Sequence, residues 1–406
     1  MTSPASWQHT HHSVAPRIPL SVPVMTGREE EYVRSCITDG FVSSVGPFVT
    51  RFEKEVAAIV GSAHAVATVN GTAALHLALL ACGVMPGDAV LVPTYTFIAT
   101  ANAVRYCGAE PVFFDCNPET LCMDGAHVRS YFATRCVRKA DGAIMDRETG
   151  RRVAAVLPVH VFGQPADLAA IVDAATSYGV PVVEDAAGAM GSRYDGRHVG
   201  LFGRVGCFSF NGNKIVTCGG GGAVVTNDER IATLVRHLST QAKRSGIAYD
   251  HDAVGFNYRL TNIQAALGTA QLEQLDAKVE RKRAIAARYR AHFASSASVR
   301  CLGVEQRGRA NAWLMTVRVD PDTREGLLAA LACDGIEARP AYIPLHTLPM
   351  YQMSPTFALE HATRIAPGCV NLPCSADLTD ALVDRVAERV QMYCNERVVS
   401  SQHRSA

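Results

Sequence analysis

Apolar positions along the chain follow two alternating rhythms. Short, almost wholly apolar runs ("AHAVATV", "DAVLVP", "EPVFFD", "AAVLPVH", "PVVED", "VGCFSF", "GGAVVTN") read as buried strands. Between them lie longer stretches with apolar residues at helical spacing, among them "RFEKEVAAIVG", closed by Gly61, "GTAALHLALLACG" and "TFIATANAVRYCG". Strands that are apolar on both faces need helices over both, so the pattern predicts a mostly parallel α/β sheet. The rhythm then changes. "NYRLTNIQAALGTAQLEQLDAKVERKRAIAARYRAHF" predicts one long helical stretch, charged in its second half, that links two domains. Beyond about residue 295, the strand-like "WLMTVRV", the helix "TREGLLAALACDG", then "IEARPAY" and a final helix predict a smaller α+β domain. The expected division is an arm-like or disordered segment 1–17, a large domain 18–275, and a small domain with its linking helix 276–406.

Composition narrows the classes of function. The chain has 406 residues, 48% hydrophobic and 19% charged, with a formal net charge of +1. That suits a compact protein with a large core and gives no electrostatic reason to expect nucleic acid or a membrane surface as partner. No apolar stretch is long enough to span a bilayer, and "MTSPASWQHTHHSVAPR" lacks the apolar segment of a secretory signal, so the expected compartment is the cytoplasm. His9, His11 and His12 in that stretch read as part of a frayed polar arm rather than a metal site. The 13 cysteines form no C-x-x-C pair and read as reduced, mostly buried thiols rather than disulfides or zinc ligands; no metal is expected.

In open α/β sheets, ligands sit at the carboxyl ends of the strands. Three residue groups follow strands in that way. In "VNGTAALH", Gly71 and Thr72 open a helix, where free N–H groups and a hydroxyl suit a phosphate or simply cap the helix. In "VVEDAAGAMG", Asp185 ends an apolar strand; such a carboxylate can cap a helix, bind a metal or pair with a protonated ring nitrogen. In "FSFNGNKIVTCGGGG", Ser209 and Lys214 flank a turn. The lysine precedes the glycines, so the stretch is not a P-loop. Lys214 is either a surface lysine at a hairpin or a desolvated amine suited to Schiff-base chemistry. Together, a phosphate-binding helix start, a strand-terminal acid and a lysine match the needs of pyridoxal 5'-phosphate.

These motifs carry a resemblance to the DegT/DnrJ/EryC1/StrS sugar aminotransferases. The matching segments are "GPFVTRFEKEVA", "TVNGTAALHLAL", "LVPTYTFIATANAV", "VHVFGQPADL", "VEDAAGAMGS", "FSFNGNKIVTCGGGGAVVTND", "GFNYRLTNIQAALGTAQLEQLD" and "IPLHTLPMY". The resemblance runs from about Ile18 to Thr379 and implies the fold type I, aspartate-aminotransferase-like architecture. It implies that Lys214 forms the Schiff base and shuttles the proton, that Asp185 pairs with the pyridine nitrogen, and that Phe97 lies against the cofactor ring. It further implies that Gly71, Thr72 and Ser209 hold the phosphate and that Asn257 reaches it from the second subunit of a homodimer with shared active sites. Arg259, nearby, and His346 are expected to meet the sugar nucleotide. L-glutamate is the implied amino donor.

The phrases "TDGFVSSVG", "FNGNKIVT", "HLSTQAK" and "ARPAYIPLHTLPMY" resemble enzymes that aminate C4 of UDP-linked 4-keto-6-deoxy-N-acetylglucosamine. The alternatives are a 3-keto-sugar aminotransferase, a GDP-perosamine-type synthase and a catalytically degenerate regulatory protein. The related sugar dehydratases carry histidine at the lysine position, which Lys214 argues against. One departure stands out: the family often has Gln, His or Glu three residues after the aspartate, where this chain has Gly188.

Overall fold

Side-chain alternation along seven strands sets the architecture. The computed structural model describes residues 17–244, 248–303 and 307–404, so almost all of the expected 1–17 arm, with its three histidines, lies outside the described residues. The strands are β1 (His64–Thr68), β2 (Ala89–Pro93), β3 (Glu110–Phe114), β4 (Val153–Val156), β5 (Val183–Asp185), β6 (Val205–Ser209) and β7 (Gly222–Thr226). Their spatial order is β1–β7–β6–β5–β4–β2–β3, with β4 and β5 joined by parallel bridges at Val156–Val182 and Val159–Asp185. Only β7 runs antiparallel to its neighbours. Alternate residues face two separate cores: Leu91, Val112 and Phe114 on one side, Val90, Val92 and Phe113 on the other. With both faces covered, the strands have no polar face to show, which is why they read as continuous apolar runs.

The helical stretch after residue 257 is two helices, not one. Asn262–Leu272 begins with a capping box between Thr261 and Gln264, and Leu275–Phe293 follows after Glu273 and Gln274. Long-range bonds hold the break. Glu273 accepts from the Tyr32 hydroxyl at 2.7 Å and from Arg51 at 2.6 Å, and Gln274 Nε2 donates to Glu29 at 3.0 Å. The second helix then packs Ile285, Tyr289 and Phe293 into a third core with Val317, Leu331 and Val386. Ile18 belongs to this core too, and its N–H donates to the Gly335 carbonyl at 2.9 Å. The core lies against an antiparallel sheet in which Met315–Arg318 pairs with Cys369–Leu372. "IEARPAY" contributes only Arg339–Pro340 to that sheet, since proline lacks the N–H to extend a ladder.

One buried carboxylate ties the loop before β6 to the sheet. Glu184 is fully buried and accepts from the N–H groups of Gly200 at 2.7 Å, Phe202 at 2.6 Å and Gly203 at 2.6 Å. His160 Nε2 lies 3.1 Å from it, while His160 Nδ1 accepts from the Ala166 N–H at 3.1 Å. The acceptor role of Nδ1 puts the ring proton on Nε2, facing the carboxylate. A carboxylate without such partners could not be buried there without a penalty of several kcal/mol. All 13 cysteines are unpaired, and burial pushes thiols such as Cys122 up to about 12. Among the described residues, no helix is long and apolar enough to cross a membrane.

Candidate active site

The site forms where β1, β5 and β6 end. At β1, Asn70 caps the Gly71–Ala81 helix: its side chain accepts from the Ala73 N–H at 2.8 Å and its carbonyl from Ala74 at 3.1 Å. Among the described residues the N–H groups of Gly71 and Thr72 have no backbone partner, as expected in the first turn of a helix. A Cβ at position 71 would lie 2.7 Å from Ser209 Cβ, so only glycine lets the helix start approach the end of β6. Two free N–H groups, the Thr72 side chain and Ser209 thus meet at the positive end of a helix dipole, a place suited to a phosphate.

Asp185 ends β5 and is buried, with 4% of its surface exposed. Thr100 donates to Oδ2 at 2.7 Å and the Ala187 N–H to Oδ1 at 3.1 Å. Burial raises its pKa, and these two bonds, together with the nearby Lys214 charge and His160, oppose the rise. Each carboxylate oxygen keeps a further lone pair, so Asp185 can still accept from a protonated ring nitrogen.

Lys214 follows β6 in a turn closed by its N–H to the Asn211 carbonyl at 3.0 Å. Loss of hydration pushes its amine down to about 7, against the pull of Asp185. The two groups therefore share one dry pocket and resist each other's neutralisation only in part. Lys214 Nζ lies 3.4 Å from the centroid of the Trp313 ring.

An aromatic wall closes the pocket. Phe97 is 59% exposed, with its ring 6.0 Å from Tyr342. Tyr342 stacks on Phe162 at 4.7 Å, and burial together with Asp185 raises its phenol pKa. Phe162 is held at φ +54°, a left-handed conformation costly for an aromatic residue and common at functional sites. His346 hangs from the end of β2, its Nδ1 2.6 Å from the Thr94 hydroxyl, and burial lowers its pKa. His346 is thus neutral and anchored at the pocket's edge. Asn257 is exposed on a segment beside β1, where the carbonyl of its neighbour Tyr258 accepts the Val69 N–H at 2.8 Å.

Arg259 does not join this group. Its guanidinium donates to Glu53 at 2.9 Å and to the Ala67 carbonyl at 3.1 Å, with 10% of the side chain exposed. That charge is committed to the fold. Conversely, Thr100, Phe162, Trp313 and Tyr342 escaped the sequence reading. The faint signals were the missing side chain at Gly188 and the rarity of tryptophan, of which the chain has two.

The depressed Lys214 pKa has a thermodynamic consequence. Between about 7 and the ordinary 10.5, the unfolded chain carries a proton that the folded one lacks. Stability of the cofactor-free protein therefore rises with pH across that window, because unfolding takes up the proton. Urea-unfolding midpoints measured across the window should rise more steeply for the wild type than for Lys214→Met; parallel profiles would contradict the assignment.

Comparison with known proteins agrees with this geometry. The sequence pattern of the DegT/DnrJ/EryC1/StrS aminotransferase family matches residues 23–391. GDP-perosamine synthase of Caulobacter vibrioides is 40% identical, over 91% of this chain and 96% of its own. GDP-perosamine synthase of Vibrio cholerae is 36% identical, over 93% of this chain and 99% of its own. The crystal structure of a DegT DnrJ EryC1 StrS aminotransferase from Brucella abortus superposes with a TM-score of 0.83 at 30% identity, covering 90% of this chain and 95% of that one. The fold is that of these pyridoxal-phosphate-dependent aminotransferases, and the chain is a nucleotide-sugar aminotransferase with the same cofactor. A match over nearly its whole length, joined to an acid, a lysine and a phosphate cradle in register, places this chain in the DegT/DnrJ/EryC1/StrS aminotransferase family.

Proposed function

We propose that this enzyme moves an amino group from L-glutamate to the keto carbon of a GDP-linked 4-keto-6-deoxy hexose. The observation that carries the choice of nucleotide is the similarity to two GDP-perosamine synthases over more than nine-tenths of the chain. It favours the GDP alternative over the UDP-linked N-acetylglucosamine derivative expected from the short sequence phrases. The residues of the pocket fit pyridoxal phosphate. Gly71, Thr72 and Ser209 form a cradle that a Cβ at position 71 would fill, and Asp185 retains acceptor capacity for the ring nitrogen. When bound, the cofactor supplies an aldehyde to carry the amino group and a ring to take up electron density.

The chain's own residues do the rest. Lys214 holds the cofactor through its amine. Once free, that amine removes and returns the proton at glutamate Cα and at the sugar carbon that gains nitrogen; a pKa pushed down to about 7 suits both directions of transfer. Asp185 keeps a proton on the ring nitrogen, its negative charge stabilised by Thr100 and Ala187. Phe97 and the Tyr342 wall would border the ring and shield it from water, and His346 would face the sugar nucleotide. Asn257, exposed beside its bridge to Thr240, reaches the phosphate of a neighbouring protomer in a homodimer.

Two measurements test the reading. Supplied with L-glutamate and either GDP- or UDP-linked 4-keto-6-deoxy sugar, the enzyme should favour the GDP form by at least about tenfold in kcat/KM, the effect of roughly 1.4 kcal/mol of differential binding. A preference for the UDP sugar would overturn the nucleotide assignment. Mixing Lys214→Ala chains with Asn257→Ala chains should restore up to about a quarter of wild-type activity, because half of the randomly paired two-fold dimers then carry one intact site. Absence of recovery in a sample shown to contain mixed dimers would exclude a shared site.

A further inference from the structure

We propose that Trp313, seated in the space that Gly188 leaves open, is the positioning residue of Lys214. The proposal rests on the reading of Lys214 as the amine that holds the cofactor.

Three observations converge on Trp313. First, a Cβ at position 188 would lie 2.3 Å from Cε3 and 2.6 Å from Cζ3 of the indole, so the ring occupies the volume that any side chain at 188 would need. Second, the indole touches the lysine turn twice. Its face meets Lys214 Nζ at 3.4 Å from the ring centroid, and its Nε1–H donates at 2.8 Å to the carbonyl of Asn213, the residue before the lysine. A cation over an indole face is held electrostatically, more strongly when water is excluded. Third, the ring is itself fixed. The Trp313 N–H donates to Asn311 Oδ1 at 2.9 Å, and the Trp313 carbonyl accepts from the buried Lys282 at 3.1 Å.

Asn311 couples the two halves of this arrangement. Its Nδ2 donates to the carbonyls of Gly188 and Met190, both at 2.9 Å, so the residue that orients Trp313 also holds the loop the ring packs against. The result is a clamp: an indole carried by the C-terminal part of the chain grips the backbone and the amine of the lysine loop from the sheet domain. A Gln, Glu or His at 188 and a tryptophan at 313 exclude each other in this geometry. Gly188 is therefore one half of an exchange, with an aromatic face replacing the missing side chain beside the lysine. The amine, when not bonded, would rest on this face.

The chain's only other tryptophan is Trp7, so Trp7→Phe makes Trp313 the sole indole reporter. In the cofactor-free protein, its emission should change sigmoidally with pH as the amine on its face ionises. The change should vanish in Trp7→Phe/Lys214→Met. An identical profile in both would overturn the contact, whereas failure of the enzyme to transfer nitrogen would leave the profile intact and count only against the proposed function. Capture of pyridoxal phosphate, followed at its near-visible band, should slow by about tenfold in Trp313→Leu through loss of pre-orientation. Trp313→Phe should recover much of the rate, since it keeps the ring face. Gly188→Ala should slow capture when Trp313 is present and add nothing in Trp313→Leu, the signature of a coupled pair. Unchanged capture in Trp313→Leu, or a lowered melting temperature with normal capture, would reduce Trp313 to a packing residue.

Discussion

The site depends on an acid and an amine denied water together. Asp185 and Lys214 stand at the ends of adjacent parallel strands, in a pocket dry enough to raise the pKa of the one and lower that of the other. Neither shift is an accident of sequence neighbourhood. Parallel β5 and β6 deliver both residues to the same sheet edge, and the surrounding bonds favour the charged form of the acid against its burial while the amine loses its proton near neutral pH. This is the condition an aminotransferase needs: one group that stays negative beside the cofactor ring, and one that gives and takes a proton at working pH.

Two stretches of the chain build the pocket. The sheet supplies Asp185, Lys214, Ser209 and the Gly71–Ala81 helix start, while Trp313, Tyr342 and His346 arrive from the later part of the chain. Trp313 makes the joint most directly, with its backbone pinned by Lys282 and Asn311 and its ring against Gly188. A shift of the C-terminal part against the sheet would move the indole and Tyr342 together, so the position of the lysine and that side of the pocket are mechanically linked.

Residues whose place is set by strand position were legible in the sequence. Asp185 follows an apolar run and Lys214 follows another, and the edge of a parallel sheet is where ligands bind. The buried strands were legible for the same reason: both faces are covered, so hydrophobicity is unbroken. What depends on distant partners was not legible. The helix break at Glu273 and Gln274 is held by Tyr32, Arg51 and Glu29, more than two hundred residues earlier. Arg259 looked available because its partner Glu53 lies 206 residues away. Trp313 could not be assigned from its own surroundings; only the empty volume at Gly188, more than a hundred residues earlier, gives it meaning. The nucleotide is a matter of similarity along the whole chain, which carries more information than short phrases shared by related enzymes.

The most direct test of the account is to locate the bond to the cofactor. The protein would be incubated with pyridoxal phosphate, reduced with borohydride, digested and mapped by mass spectrometry. The pyridoxyl phosphate adduct should lie on Lys214 and be lost when L-glutamate is added in excess before reduction, because the amino group of glutamate then displaces the lysine. An adduct on another lysine, or one that glutamate does not prevent, would contradict the assignment of Lys214 and with it the transfer chemistry.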